Sequence, residues 1–161
     1  MTGIEQPRRR GHRSGARRGV AAIETALVLM LFFSLVFGML DLGLAVFRYH
    51  VLAHAARDVA RQAIVRGSMA PPQLDSWGPE TYTGQADADH PIAEATRRVL
   101  GGLDPADVEI LVEWPTGSNV FNDPYNNPVR VVLAAEHQPM VLFLFQQTIT
   151  LRAESTMIIA H

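Results

Sequence analysis

The 161-residue chain contains no cysteine and no lysine. Without cysteine there are no disulfides, no thiolate metal sites and no thiol nucleophile, so any exported portion must hold together by packing or through neighbours. The sequence also lacks a G-x-S-x-G elbow, a phosphate-binding P-loop and a Gly-rich dinucleotide turn. Its one Gly pair, Gly101-Gly102, reads as a helix stop, and the carboxylates Glu109 and Glu113 read as the solvated face of a strand. The expectation is a protein that is not an enzyme, with no catalytic residues, no cofactor and no metal. Charge is unevenly spread. Residues 1–19 hold six Arg and one Glu, and residues 20–161 hold eight Arg and fifteen acids. A basic head before an apolar run is explained by positive-inside retention at a membrane. No aromatic residues interleave with those arginines, so nucleic acid is not expected as a partner.

What is present is one long apolar run. After the polar, Arg-rich residues 1–19, Val20 to Phe47 is interrupted only by Glu24, Thr25, Ser34, Gly38, Asp41 and Gly43. As a helix, Val20–Leu40 spans roughly 31 Å, the thickness of a bilayer's hydrocarbon core. The reading is a cytoplasmic leader at 1–19, a transmembrane helix at 20–43 and an exported remainder, a single-pass topology with lipid as a partner. The periodicity then continues. Ala45, Tyr49, Leu52, Ala56, Val59 and Ala63 make a narrow heptad seam, which predicts a helical extension over 44–67 and one helix of about 47 residues in all. A seam made mostly of Ala buries little area alone. It should pack on the chain's own C-terminal portion or on other copies.

Residues 68–91 read as loop, with four prolines and no periodicity. Residues 92–161 read as a small domain with a short helix, Ile92–Leu100, and three alternating strands at Val108–Trp114, Val129–Ala135 and Thr148–Thr156. The stretch "NDPYNNP" at 122–128 is a turn between the first two. The fold class expected is α+β: one long N-terminal helix, half of it transmembrane, followed by a small antiparallel sheet.

The carboxylate of Glu24 is the anomaly. An ionised Glu at mid-bilayer costs about 2.5–3.5 kcal/mol, and a depth of roughly 6 Å from Val20 with snorkelling reduces that. An interfacial Glu tolerated at the cytosolic edge is one reading. The other comes from the residues as a set: Arg17-Arg18, Gly19, then Val20-Ala21-Ala22-Ile23-Glu24 and a span. This resembles the class III signal of type IV pilins, which implies cutting after Gly19 by a prepilin peptidase and a new α-amino group on Val20. It implies further that Glu24 neutralises the terminal ammonium of an adjacent subunit and so sets subunit register. The blocks R-G-V-A-A-I-E, F-G-M-L-D-L-G and A-A-R-D-x-A-R, in that order between Arg18 and Val65, resemble the TadE-like family, the pseudopilins of tight-adherence (Flp) pilus systems. Thr25 departs from this pilus class, which often has an aromatic after the Glu. The resemblance implies a non-catalytic minor pilin of the inner membrane, with other pilins and the pilus assembly platform as partners. An uncleaved single-pass protein with a ligand- or envelope-binding outer domain is the alternative.

Asp41, flanked by Gly38 and Gly43, has two readings. It is either a polar contact in helix packing, with the glycines allowing close approach, or the mark of the helix leaving lipid. His50 and His54 are one helical turn apart with Asp58 a turn further, but they form a polar stripe without an H-E-x-x-H motif. Asp87, Asp89 and His90 lack a cation-binding loop.

Overall fold

The computed structural model describes residues 14–66, 70, 73–74, 76–78, 80–115, 128–139 and 148–158. The elements in chain order are α1 (Ser14–Val65), β1 (Tyr82–Gln85), α2 (Pro91–Arg97), a 3-10 turn (Pro105–Asp107), β2 (Val108–Glu113), β3 (Pro128–His137) and β4 (Ile149–Ile158). The chain divides into two compact units, Met1–Leu40 and Asp41–His161.

In the first unit α1 exposes large apolar side chains from Val20 onward. Val20, Leu31 and Phe32 are among its many exposed large side chains. Such a surface is stable in lipid, where a helix satisfies every backbone polar group within itself. Its two hydroxyls follow the same logic. Thr25 Oγ1 donates to Ala21 O at 2.9 Å and Ser34 Oγ to Met30 O at 2.7 Å, so neither faces the apolar surroundings unpaired. The stretch Gly19–Val65 is 47 residues long, and its apolar window has a mean hydropathy of 2.4, so it is long and apolar enough to cross a membrane.

The second unit is built on a four-stranded antiparallel sheet of order β1-β2-β3-β4. Alternation decides its faces. Val108, Ile110 and Val112 of β2, with Val129, Val131, Leu133 and Ala135 of β3, are buried and form the core with Ala153 of β4. Across the sheet's inner face lies the distal part of α1, whose Leu52, Ala55, Ala56, Val59, Ala60 and Ala63 are fully buried in the same cluster. The Ala-rich seam thus packs on the chain's own sheet. Tyr49 is exposed and stands outside that packing. The sheet-facing stripe runs through Arg48 instead, one position earlier. Ile92, Ala93, Ala95 and Thr96 of α2 complete the core.

One element departs from the expectation. Residues 68–91 are not all loop, because Tyr82–Gln85 forms the edge strand β1 on β2. Four residues containing a Gly and two polar side chains, set in a Pro-rich stretch, carry too little alternation to mark a strand. The cross-strand partner supplies what the local pattern lacks. The "NDPYNNP" turn lies at 122–127 outside the described residues, save Pro128, which begins β3. Gly101 and Gly102 both adopt positive φ, +28° and +91°, shortly after α2, the second well inside the left-handed region that favours Gly.

Candidate functional site

Gly19 and Val20 are both helical and exposed, and a Cβ added at Gly19 would meet nothing within 4 Å. Glu24, one turn further, is exposed on the apolar helix with no ion-pair partner among the described residues. Gly38 and Gly43 also face open space.

Asp41 is different. It is only 8% exposed, and its Oδ1 lies 3.4 Å from Nε2 of His137, the last residue of β3. On the other side of the ring, Arg48 Nη1 lies 3.4 Å from Nδ1. Asp41 and Arg48 are seven residues apart, two turns along one helical face, so the helix presents both to a single imidazole. The chemistry assigns the protons. Guanidinium is a donor only, so Nδ1 accepts, and the ring proton sits on Nε2 facing the carboxylate. His137 is 2% exposed. A neutral imidazole therefore connects an anion to a cation.

Sequence reasoning placed Asp41 among the notable residues without its partner, and His137 went unremarked. A signal was present. His137 shares the parity of Val129, Val131, Leu133 and Ala135, so an extended β3 puts it on the inward face.

The outer face of the sheet carries a second polar group. Arg130 of β3 donates to Glu154 of β4 through Nε at 2.7 Å and Nη2 at 2.9 Å, and to Glu113 of β2 through Nη1 at 2.8 Å. Hydrogen bonds from Arg130 hold the Glu154 carboxyl below the usual glutamate range, against a smaller opposing effect of burial. Glu154 first and Glu113 second hold the Arg130 guanidinium still more firmly charged than usual. The group ties three strands together across their registers.

The His and acidic residues of the polar stripes have structural employment. Asp58 accepts from Gln62 Nε2 at 2.9 Å. His90 Nδ1 accepts from the Ile92 amide at 3.2 Å and so caps α2, while its ring stacks on Tyr82 with centroids 4.0 Å apart. Among the described residues no group of three His, Asp or Glu is placed to hold a metal ion. A polar cleft of about 340 Å³ opens beside Gln85, Asp107, Glu109 and Thr150. A smaller one of about 200 Å³ is lined by Arg48, Gly102, Asp104, Asp107 and Glu136.

A family model described as TadE-like protein matches residues 19–61. No curated protein and no solved structure matches the chain. The family match begins on Gly19, takes in Glu24, Gly38, Asp41 and Gly43, and ends within the buried seam before the sheet begins. Residues 19–61 are thus similar to the TadE-like family, the one the chain's motifs resemble.

Proposed function

We propose that the chain is a minor pilin, or pseudopilin, of a tight-adherence (Flp) pilus: a membrane-anchored subunit whose work is assembly and not catalysis. The observation that carries this is the family match over residues 19–61, which starts at the Gly of the Arg-Arg-Gly-Val junction. In this reading residues 1–19 are a cytoplasmic leader that a prepilin peptidase removes between Gly19 and Val20. Residues 20–43 cross the inner membrane, 44–67 extend the helix outside it, 68–91 connect, and 92–161 form the extracytoplasmic domain that meets other pilins and the assembly platform.

Electrostatics gives the reading its mechanism. An ammonium at Val20 and a carboxylate at Glu24 are each costly in lipid when alone, though less so near the helix end than the about 2.5–3.5 kcal/mol of a charge at mid-bilayer. Paired between adjacent subunits they offset one another, and the pairing requires a fixed stagger of one helix against the next. The exposed Glu24, without an ion-pair partner among the described residues, and the open surfaces at Gly38 and Gly43 leave room for such neighbours.

The mature N-terminus tests the proposal. Mass spectrometry of the membrane fraction is expected to find chains starting at Val20, and Gly19→Leu to block this. Recovery of full-length chains alone would favour an uncleaved anchored protein with a ligand-binding outer domain. With Glu24→Ala, cutting should persist while co-purification with partner pilins falls. Unchanged co-purification would remove Glu24 from the register-setting role.

A further inference from the structure

The buried imidazole of His137 has no part in the assembly reading, and its surroundings offer it two settings. In the observed one, Arg48 donates to Nδ1 and the Nε2 proton faces Asp41. Among the described residues, the charged groups around this contact are Asp41 and Arg48 from α1, Glu136 from β3, and Asp104 and Asp107 from the segment that includes the 3-10 turn. β4 places the apolar Ile149 opposite His137. Arg48 also lines the 200 Å³ cleft that it shares with Gly102, Asp104, Asp107 and Glu136. Arg48 therefore has one neutral acceptor in His137 and shares a cleft with Asp104 and Asp107 of the segment around the 3-10 turn.

A proton arriving at Nδ1 changes which acceptor Arg48 can use. The nitrogen becomes a donor, and two donors cannot share that contact. The resulting imidazolium keeps its carboxylate partner, Asp41, while a second cation beside it is repelled. Arg48 has room and acceptors on its cleft side. We propose that His137 and Arg48 form a proton-operated latch: neutral His137 holds Arg48 at the α1–β3 seam, and protonated His137 releases it into the carboxylate-lined cleft beside the 3-10 turn. The two settings differ by one proton and one side-chain swing, with Asp41 as the fixed point. This rests on packing within Asp41–His161 alone and stands whether or not the chain is a pilin.

The test is a titration of the full-length chain in detergent micelles, with ¹⁵N-labelled His and Arg, followed by NMR from about pH 8 to about pH 5, the span of imidazole titration. His137 is expected to start as the Nε2–H tautomer and to protonate at Nδ1, with the Arg48 guanidinium resonance shifting at the same midpoint. In a variant carrying Asp104→Asn, Asp107→Asn and Glu136→Gln, His137 should still protonate but the Arg48 shift should be lost. An Nδ1–H tautomer at the start would overturn the latch, as would a His137 that stays neutral throughout. So would an Arg48 resonance that stays in place while His137 protonates. An Arg48 shift unaltered in the triple variant would overturn the cleft as its destination.

Discussion

Arg130 and Glu154 face each other across the β3–β4 ladder, joined by two parallel hydrogen bonds of 2.7 Å and 2.9 Å in the fork-to-fork geometry of guanidinium and carboxylate. They are not directly opposite. Arg130 pairs in register with Thr156, and Val132 with Glu154, so the contact is diagonal. That places a charged lid over the outer side of the two strands and lets the same guanidinium reach Glu113 on β2.

A pH dependence follows, with a definite sign. The Glu154 carboxyl is held below its ordinary range by Arg130 in the folded state. Its contribution to stability is therefore present above the unfolded glutamate range and is lost as pH falls through the lowered folded value. Acid denaturation monitored by circular dichroism should show a loss of stability below the glutamate range that Glu154→Gln flattens. Because the pair is solvent-exposed, high salt should flatten it as well.

Gly84 on β1 sits under the ring of Tyr82. A Cβ there would stand 2.6 Å from the Tyr82 hydroxyl oxygen and 3.0 Å from Cζ. The ring is stacked on His90, so yielding to the added methyl would disturb that contact. Gly84→Ala should destabilise by about 1–3 kcal/mol, as overpacking does. Thermal unfolding of the single variant, and of Gly84→Ala combined with Tyr82→Phe, checks the cause. Part of the loss should return when the hydroxyl is removed.

The Tyr82 hydroxyl is itself buried with no hydrogen-bond partner among the described residues. Burial first, and the negative charge of Asp87 second, push its ionisation above the ordinary tyrosine range. An unpaired buried hydroxyl contributes nothing that a phenyl ring does not. Tyr82→Phe should leave the unfolding midpoint unchanged or raise it. A clear fall would mean that the hydroxyl is paired in solution.

His90 is a helix cap more than an ionisable group. Its Nδ1 accepts the Ile92 amide at the start of α2, ahead of Pro91 in the first turn. His90→Ala should cost about 0.5–2 kcal/mol, the usual range for a lost N-cap. His90→Asn, which can still accept that amide, should lose less despite giving up the stacking. Chemical denaturation of the two variants side by side distinguishes cap from stack.

The alanines of α1 fill the core where the helix meets the sheet. Ala56 and Ala60 are fully buried against it. Ala60→Leu should destabilise by about 1–3 kcal/mol, whereas a Leu at exposed Arg57 should be nearly neutral. Detergent-solubilised protein and thermal scans would read the difference.

The long helix, its apolar portion and the three longer strands were legible because each depends on a local period: continuous apolarity, the seam from Leu52 to Ala63, and alternation in β2, β3 and β4. The edge strand β1 was not, since its pairing with β2 is non-local and its own four residues lack the pattern. Of the candidate positions, Asp41 stood out as an acid inside an apolar run. What it meets depends on the sheet bringing His137 across 96 positions of sequence to within 3.4 Å, and no spacing rule encodes that. The parity of β3 signals that His137 is buried, but not which charges face it. Glu24 and Gly19 stood out through motif resemblance, which concerns neighbouring subunits and processing more than contacts inside one chain.

Because Leu52 through Ala63 are core residues of the sheet domain, the helix cannot be treated as a removable tether. A recombinant fragment cut at Val65 would uncover Ile110, Val131 and Leu133 and aggregate. One begun at Asp41 would retain the whole hydrophobic interior and discard most of the apolar run, while still exposing Leu42, Leu44 and Phe47. That residue is the natural left-hand boundary for a fragment to crystallise or to raise antibodies against.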